Sequence, residues 1–105
     1  MTDAVVVLCT VGDQQDALRL GSAVVEERLA ACVNILPAVQ SIYRWQGEVE
    51  RATEILLLMK TTQQGFAALR DRLEELHPYE TPEIIALPIV DGLGNYLGWM
   101  REQVK

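Results

Sequence analysis

The stretch Val39-Gln-Ser-Ile-Tyr-Arg-Trp-Gln-Gly-Glu-Val-Glu-Arg-Ala-Thr-Glu-Ile-Leu-Leu-Leu-Met-Lys60 decides how this chain folds. On its first arm Val39, Ser41, Tyr43 and Trp45 face one way and Ile42 and Arg44 the other, the two-residue period of a strand. Gln46-Gly47 reads as a tight turn, with the glycine supplying a positive φ. The second arm, Glu48 to Lys60, places Val49, Ile55, Leu57 and Met59 along one face. Past Glu54 the other face turns apolar as well, through Leu56 and Leu58, so this strand runs from an exposed tip into a core. Thirteen residues cover ~43 Å at ~3.3 Å each, whereas a globule of ~100 residues is only ~34 Å across. The hairpin must overhang. A free hairpin bearing Ile42, Tyr43, Trp45 and Val49 is marginal in water and leaves strand edges open. Either it bends back over its own sheet or it pairs with a neighbouring subunit. The second outcome is expected, making the protein an obligate oligomer.

On the N-terminal side, a strand beginning at Cys32 is interrupted by Pro37, which cannot donate to a ladder and so marks a bulge or an edge. Upstream, Asp13 can cap a helix with Asp16 in its first turn, and Ala17, Gly21, Val24, Val25 and Leu29 fall on one stripe. Gly21 inside that helix costs ~1 kcal/mol against alanine, which points to close approach of the sheet beneath. Residues 4–10 form an apolar, β-branched run expected to be a strand covered on both faces. Beyond the hairpin, residues 62–76 read as a helix with Phe66, Leu69, Leu73 and Leu76 inward, stopped by His77-Pro78. A last core strand, Ile84-Ile85-Ala86-Leu87, closes at Pro88. A short helix from about Gly94 has Leu93, Leu97, Met100 and Val104 as its buried side. The order β-α-β-β-α-β plus a terminal helix is that of an α+β, ferredoxin-like sandwich, with two helices on one face of an antiparallel sheet. Residues 1–105 are expected to form one domain.

Half of the 105 residues are hydrophobic and 23% are charged. That is a globular composition, unlike a disordered tail, a collagen-like rod or a disulfide-dense mini-protein. No apolar run approaches the ~20 residues needed to span a bilayer, and Met1-Thr2-Asp3 opens without a basic segment, so the expected address is the cytoplasm. Nine Lys plus Arg against 15 Asp plus Glu give a net charge of −6. With no basic stripe, nucleic acid is not an expected partner, while a cation suits the balance. Cys9 and Cys32 do not form a CxxC pair and are expected to be reduced, buried thiols.

His77 is the one histidine. Imidazole nitrogen suits Cu(II) and Zn(II), and a thiolate at Cys9 suits Cu(I). Equally, His77 can cap the helix end or bond across a subunit contact, with Cys9 in the core. Glu80 and Glu83 flank Pro82, and paired carboxylates can do acid–base work. No nucleophile sits beside a base in the sequence, and Gly92-Leu-Gly-Asn lacks the Lys-Ser/Thr of a phosphate loop, so an enzyme is not expected. Trp45 with Tyr43 can stack on a small molecule or fill a contact between subunits. Lys60 can bind an anion or stay solvated.

Six blocks carry a further signal. Val5-Val-Val-Leu-Cys-Thr10, Leu29-Ala-Ala-Cys-Val-Asn-Ile35, Ser41-Ile-Tyr-Arg-Trp-Gln-Gly-Glu48, Leu58-Met-Lys-Thr61, His77-Pro-Tyr-Glu-Thr-Pro-Glu-Ile84 and Tyr96-Leu-Gly-Trp99 together closely resemble the CutA divalent-cation tolerance proteins. The resemblance implies a ferredoxin-like subunit in an intertwined homotrimer, similar in architecture to PII signalling proteins. It also implies a cytoplasmic bacterial role in tolerance of divalent metals, copper above all and zinc among the others. It maps copper ligands onto Cys9 and His77. Some family members carry a second histidine just before the His-Pro pair, whereas this chain has Leu76 and so one imidazole fewer. The alternative is a PII-like signalling or scaffold trimer whose clefts take a small ligand or a partner protein.

Overall fold

The computed structural model describes residues 2–105. Strand β1 (Ala4–Val11) leads into helix α1 (Gln14–Glu26), then the paired strands β2 (Cys32–Trp45) and β3 (Glu48–Thr62). Helix α2 (Phe66–Leu76), strand β4 (Ile84–Pro88) and helix α3 (Gly94–Gln103) complete the order. The strands form one antiparallel sheet in the order β2-β3-β1-β4, the ferredoxin-like arrangement. Odd-numbered residues of β1 (Val5, Val7, Cys9, Val11) and of β3 (Ile55, Leu57, Met59) pack against Ala17, Leu20 and Val24 of α1 and Leu69 and Leu73 of α2. Helix α3 seals a smaller cluster at one end, where Leu97 and Met100 meet Ala4 and Ala31.

Asp13 caps α1, its Oδ1 accepting from the Asp16 amide at 2.8 Å. The inward stripe differs from the expected one at Leu20, Val25 and Leu29, the last of which is buried but lies past the end of α1. Leu20 is sealed while Val25, one residue past Val24 and so about 100° round the helix, is 39% exposed. Gly21 sits where a Cβ would come within 3.4 Å of Val33 on β2, the close approach that its cost in the helix anticipates.

Helix α2 starts at Phe66 rather than at position 62. Thr61 and Thr62 extend β3 instead, pairing with Val5 and Ala4, and the buried Thr61 hydroxyl donates to the Leu29 carbonyl at 2.8 Å. Strand β4 is not a core strand. It forms the edge of the sheet, with Ile85 and Leu87 about half exposed. Leu93, expected inside, caps α3 and is 74% exposed. Cys32 is only partly buried, its Sγ 3.3 Å from the Tyr96 hydroxyl.

The hairpin overhangs. Pairing of β1 with β3 ends at Val11 and Ile55, and beyond that point the seven pairs from Val39–Glu54 to Trp45–Glu48 form a two-stranded ribbon. The molecule is accordingly 44 Å long but only 25 and 22 Å in its other dimensions. The turn residues Gln46 (φ 50°) and Gly47 (φ 84°) are both left-handed, the turn whose twist matches that of the strands. Pro37-Ala38 makes a bulge in the edge strand β2, with Ala38 at φ 61° and the pairing register shifting between Leu36 and Val39.

Candidate functional site

Where the ribbon leaves the sheet, the loop between α2 and β4 folds towards it and a cleft of about 760 Å³ opens. Thr10 and Glu54 lie on the β1 and β3 side, Ser41, Tyr43 and Trp45 on the ribbon, and Tyr79, Glu80 and Glu83 on the loop. None of the lining residues is a lysine or arginine.

The loop is held there by a chain of hydrogen bonds. Pro78 forces His77 out of helical geometry, so the residue caps α2 with extended backbone (φ −75°, ψ 136°) and its amide bonds the Leu73 carbonyl. Its ring is thereby aimed at β1, where Nε2–H donates to the Thr10 carbonyl at 2.8 Å. The other ring nitrogen, Nδ1, accepts from the Tyr79 amide at 3.1 Å. These partners fix a neutral imidazole protonated at Nε2. The Tyr79 ring then tilts against His77, centroids 4.7 Å apart, and its hydroxyl donates to Glu54 Oε2 at 2.7 Å. Gly12 leaves room for this approach, since a Cβ there would lie 3.3 Å from the Tyr79 hydroxyl. Burial first, and then the bond to Glu54 and its charge, hold the Tyr79 hydroxyl well above the usual tyrosine range.

Cys9 and His77 come to the same end of β1, because the imidazole bonds the carbonyl of the residue after Cys9. They do not form a ready metal centre. Cys9 is fully buried in the core beneath α1 and α2, and burial, helped by the charges of Glu83 and Glu54, pushes its thiol up to about 12. Both nitrogens of His77 are already engaged. Among the described residues, no three His, Cys, Asp or Glu side chains converge to hold an ion. The Lys60 ammonium lies elsewhere, bonded to the Asn34 side chain on the face of the sheet opposite α1 and α2.

The comparisons with known proteins bear on the whole chain. The sequence profile of the CutA1 divalent ion tolerance proteins matches residues 5–103. The divalent-cation tolerance protein CutA of Thermus thermophilus is 57% identical over 97 residues, covering 92% of this chain and 94% of its own. The chain belongs to the CutA1 family. A solved CutA1 structure from Thermus thermophilus superimposes with a TM-score of 0.95 at 54% identity, over 97% of this chain and 99% of that one. The periplasmic divalent cation tolerance protein CutA of Archaeoglobus fulgidus gives 0.93 at 38% identity, over 97% and 99% of the two chains.

Within this CutA1 domain the residue that sequence reasoning passes over is Glu54. It is a carboxylate only 7% exposed, between an alternating ribbon and an apolar strand. The signal was available: a charged residue at the point where β3 turns apolar on both faces demands a partner. That the partner is Tyr79, 25 positions away, depends on the loop path and is not written in either segment.

Proposed function

We propose that the protein works in divalent-cation tolerance as a cytoplasmic, non-enzymatic homotrimer, with copper as its principal cation and Cys9 and His77 as the ligands. One observation supports those two residues above the others. The His77 ring lies against the main chain of Thr10, directly after Cys9, at 2.8 Å. Capture of a copper ion there requires the imidazole to give up one hydrogen bond and the Cys9 thiol to lose its proton. Each requirement opposes binding, so the site suits exchange of metal rather than its storage. The unpaired state of both cysteines suits a reducing compartment.

The trimer reading is supported by apolar surface in two places. The ribbon leaves Ile42 67% and Val49 57% exposed, and the sheet face opposite α1 and α2 presents Leu36, Ile85 and Leu87. Such a surface fits a second copy of the chain better than solvent.

Calorimetric titration of the reduced protein with Cu(I), Cu(II) and Zn(II) tests the metal. Copper affinity should fall ~10-fold or more in His77→Ala, and unchanged affinity would remove His77 from the site. Light scattering tests the assembly. A mass near three times 11.7 kDa is expected, and a stable folded monomer at micromolar concentration would overturn the trimer.

A further inference from the structure

We propose that helix α3 is a strap that opens and closes over the end of the sheet, and that Arg28 is the clasp that holds it shut. The inference goes beyond the copper reading and stands without it. The clasp is marked first by its backbone. Helix α1 ends with the Leu29 amide bonded to the Val24 carbonyl at 2.9 Å and the Arg28 amide bonded to the Val25 carbonyl at 3.0 Å. That pattern demands a left-handed residue at position 28, ordinarily glycine. Arg28 takes the position at φ 61°, with the strain that a Cβ brings. A residue that the turn disfavours is kept there for what its side chain does.

The guanidinium reaches the last turn of α3. Nη2 donates to the Glu102 carbonyl at 2.6 Å and Nε to the Gln103 carbonyl at 2.9 Å. The final carbonyls of a helix have no partner within it and form the negative end of its dipole, so a forked cation completes them. In return the Lys105 amide donates to the Arg28 carbonyl at 3.0 Å. Position 28 therefore grips the end of α3 with its side chain and its main chain together.

The strap has little else to hold it. It is ten residues long, shorter than the ~12–15 at which an isolated helix becomes marginal. Its N-cap, Leu93, provides no side-chain bond, and only Leu97 and Met100 are buried. Gly98 stands in mid-helix where an added Cβ would meet nothing within 4 Å, so no contact within the chain calls for the residue that weakens the helix. The exposed Arg101–Asp3 pair, at 3.4 Å, adds little. The cluster beneath α3 is also separate from the main core under α1 and α2. Opening therefore uncovers Ala4 and Ala31 and parts Tyr96 from Cys32, while the main core stays packed.

The test is native-state amide hydrogen exchange on the full chain in its assembled form, with a metal chelator present so that copper has no part in the result. In wild type the α3 amides from Leu97 onward should open at least ~100-fold more often than those of β1 and β3. Arg28→Gly then separates the clasp from a mere turn residue, because the two predict opposite signs. Glycine relieves the left-handed strain, so a residue that only shapes the turn would leave α3 as well protected as before or better. Loss of the clasp should instead speed exchange in α3 by ~5-fold or more, with α1 and the sheet unchanged or slower. Arg28→Lys keeps the charge without the fork and should fall between. Gly98→Ala, which leaves the clasp intact, should slow α3 exchange ~5-fold. Unchanged or slower α3 exchange in Arg28→Gly would overturn the clasp. Exchange of α3 only in step with the core, or faster exchange in Gly98→Ala, would overturn the strap.

Discussion

The phenol of Tyr79 donates to Oε2 of Glu54 across 2.7 Å and so ties the loop after α2 to the base of the ribbon. The bond matters for stability because Glu54 is 7% exposed and accepts no other hydrogen bond among the described residues. Tyr79→Phe is expected to destabilise the fold by ~1–3 kcal/mol, the usual penalty for a buried polar group left without its partner. Urea unfolding at neutral pH measures it.

The same residue sets a pH dependence. An acid whose folded pKa is raised stays protonated in the fold while the unfolded chain ionises. The contribution of Tyr79 is therefore complete below its unfolded value of 10.0 and is lost as pH rises beyond it. The stability gap between wild type and Tyr79→Phe should narrow above about pH 10, and a gap that widens there would contradict the assignment.

Cys9 acts with the same sign and begins earlier, since its thiol rises from an ordinary 9.0 to about 12. Between those values the unfolded state is favoured progressively as it sheds the proton that the core retains. Cys9→Ala should lose ~1–2 kcal/mol of burial at neutral pH, yet show a shallower decline than wild type from pH 9 upward. Stability curves for the two proteins across that interval decide the matter.

Gly12→Ala is expected to act through Tyr79. The added Cβ would lie 3.3 Å from the Tyr79 hydroxyl, which must give by a few tenths of an ångström and so strains its bond to Glu54. A loss of ~1 kcal/mol follows in wild type. Little further loss should appear in a Tyr79→Phe background, where no hydroxyl remains to be displaced. A double-mutant cycle reads the difference, and additive effects would refute the coupling.

At the tip of the ribbon Gln46 adopts φ 50°, a conformation that asparagine tolerates better. Gln46→Asn should stabilise the hairpin by ~0.5 kcal/mol, and Gly47→Ala, at φ 84°, should weaken it by ~1 kcal/mol. Thermal unfolding of both variants provides the check.

Most of the architecture was legible in the sequence because it rests on local signals. The cap at Asp13, the turn at Gln46-Gly47, the break at His77-Pro78 and the overhang of β3 all follow from nearby residues. The failures lie where a distant segment decides. Thr61 and Thr62 read as the start of a helix until β1 supplies pairing partners for them. Ile85 and Leu87 read as core until the sheet proves to have helices α1 and α2 on its other face. The candidate site was half legible. The resemblance singled out Cys9 and His77, and the aromatic ribbon was visible, but Glu54 joined neither group because its meaning depends on a loop arriving from the far side of α2.

The bulge at Pro37-Ala38 has a consequence for how this chain can vary in length. Before it, Val33 and Ile35 oppose Met59 and Leu57, on the helix side; after it, Val39, Tyr43 and Trp45 oppose Glu54, Glu50 and Glu48, on the other side. The odd-numbered residues of β2 thus change sides at one inserted position. Removal of that residue would close the bulge and restore simple parity in the numbering, yet Tyr43 and Trp45 would still oppose Glu50 and Glu48, because the turn at Gln46-Gly47 sets those partners. Single insertions or deletions near Pro37 should therefore be absorbed at the bulge and leave the aromatics facing the same way, so that segment is where this strand can change length without re-aiming its tip.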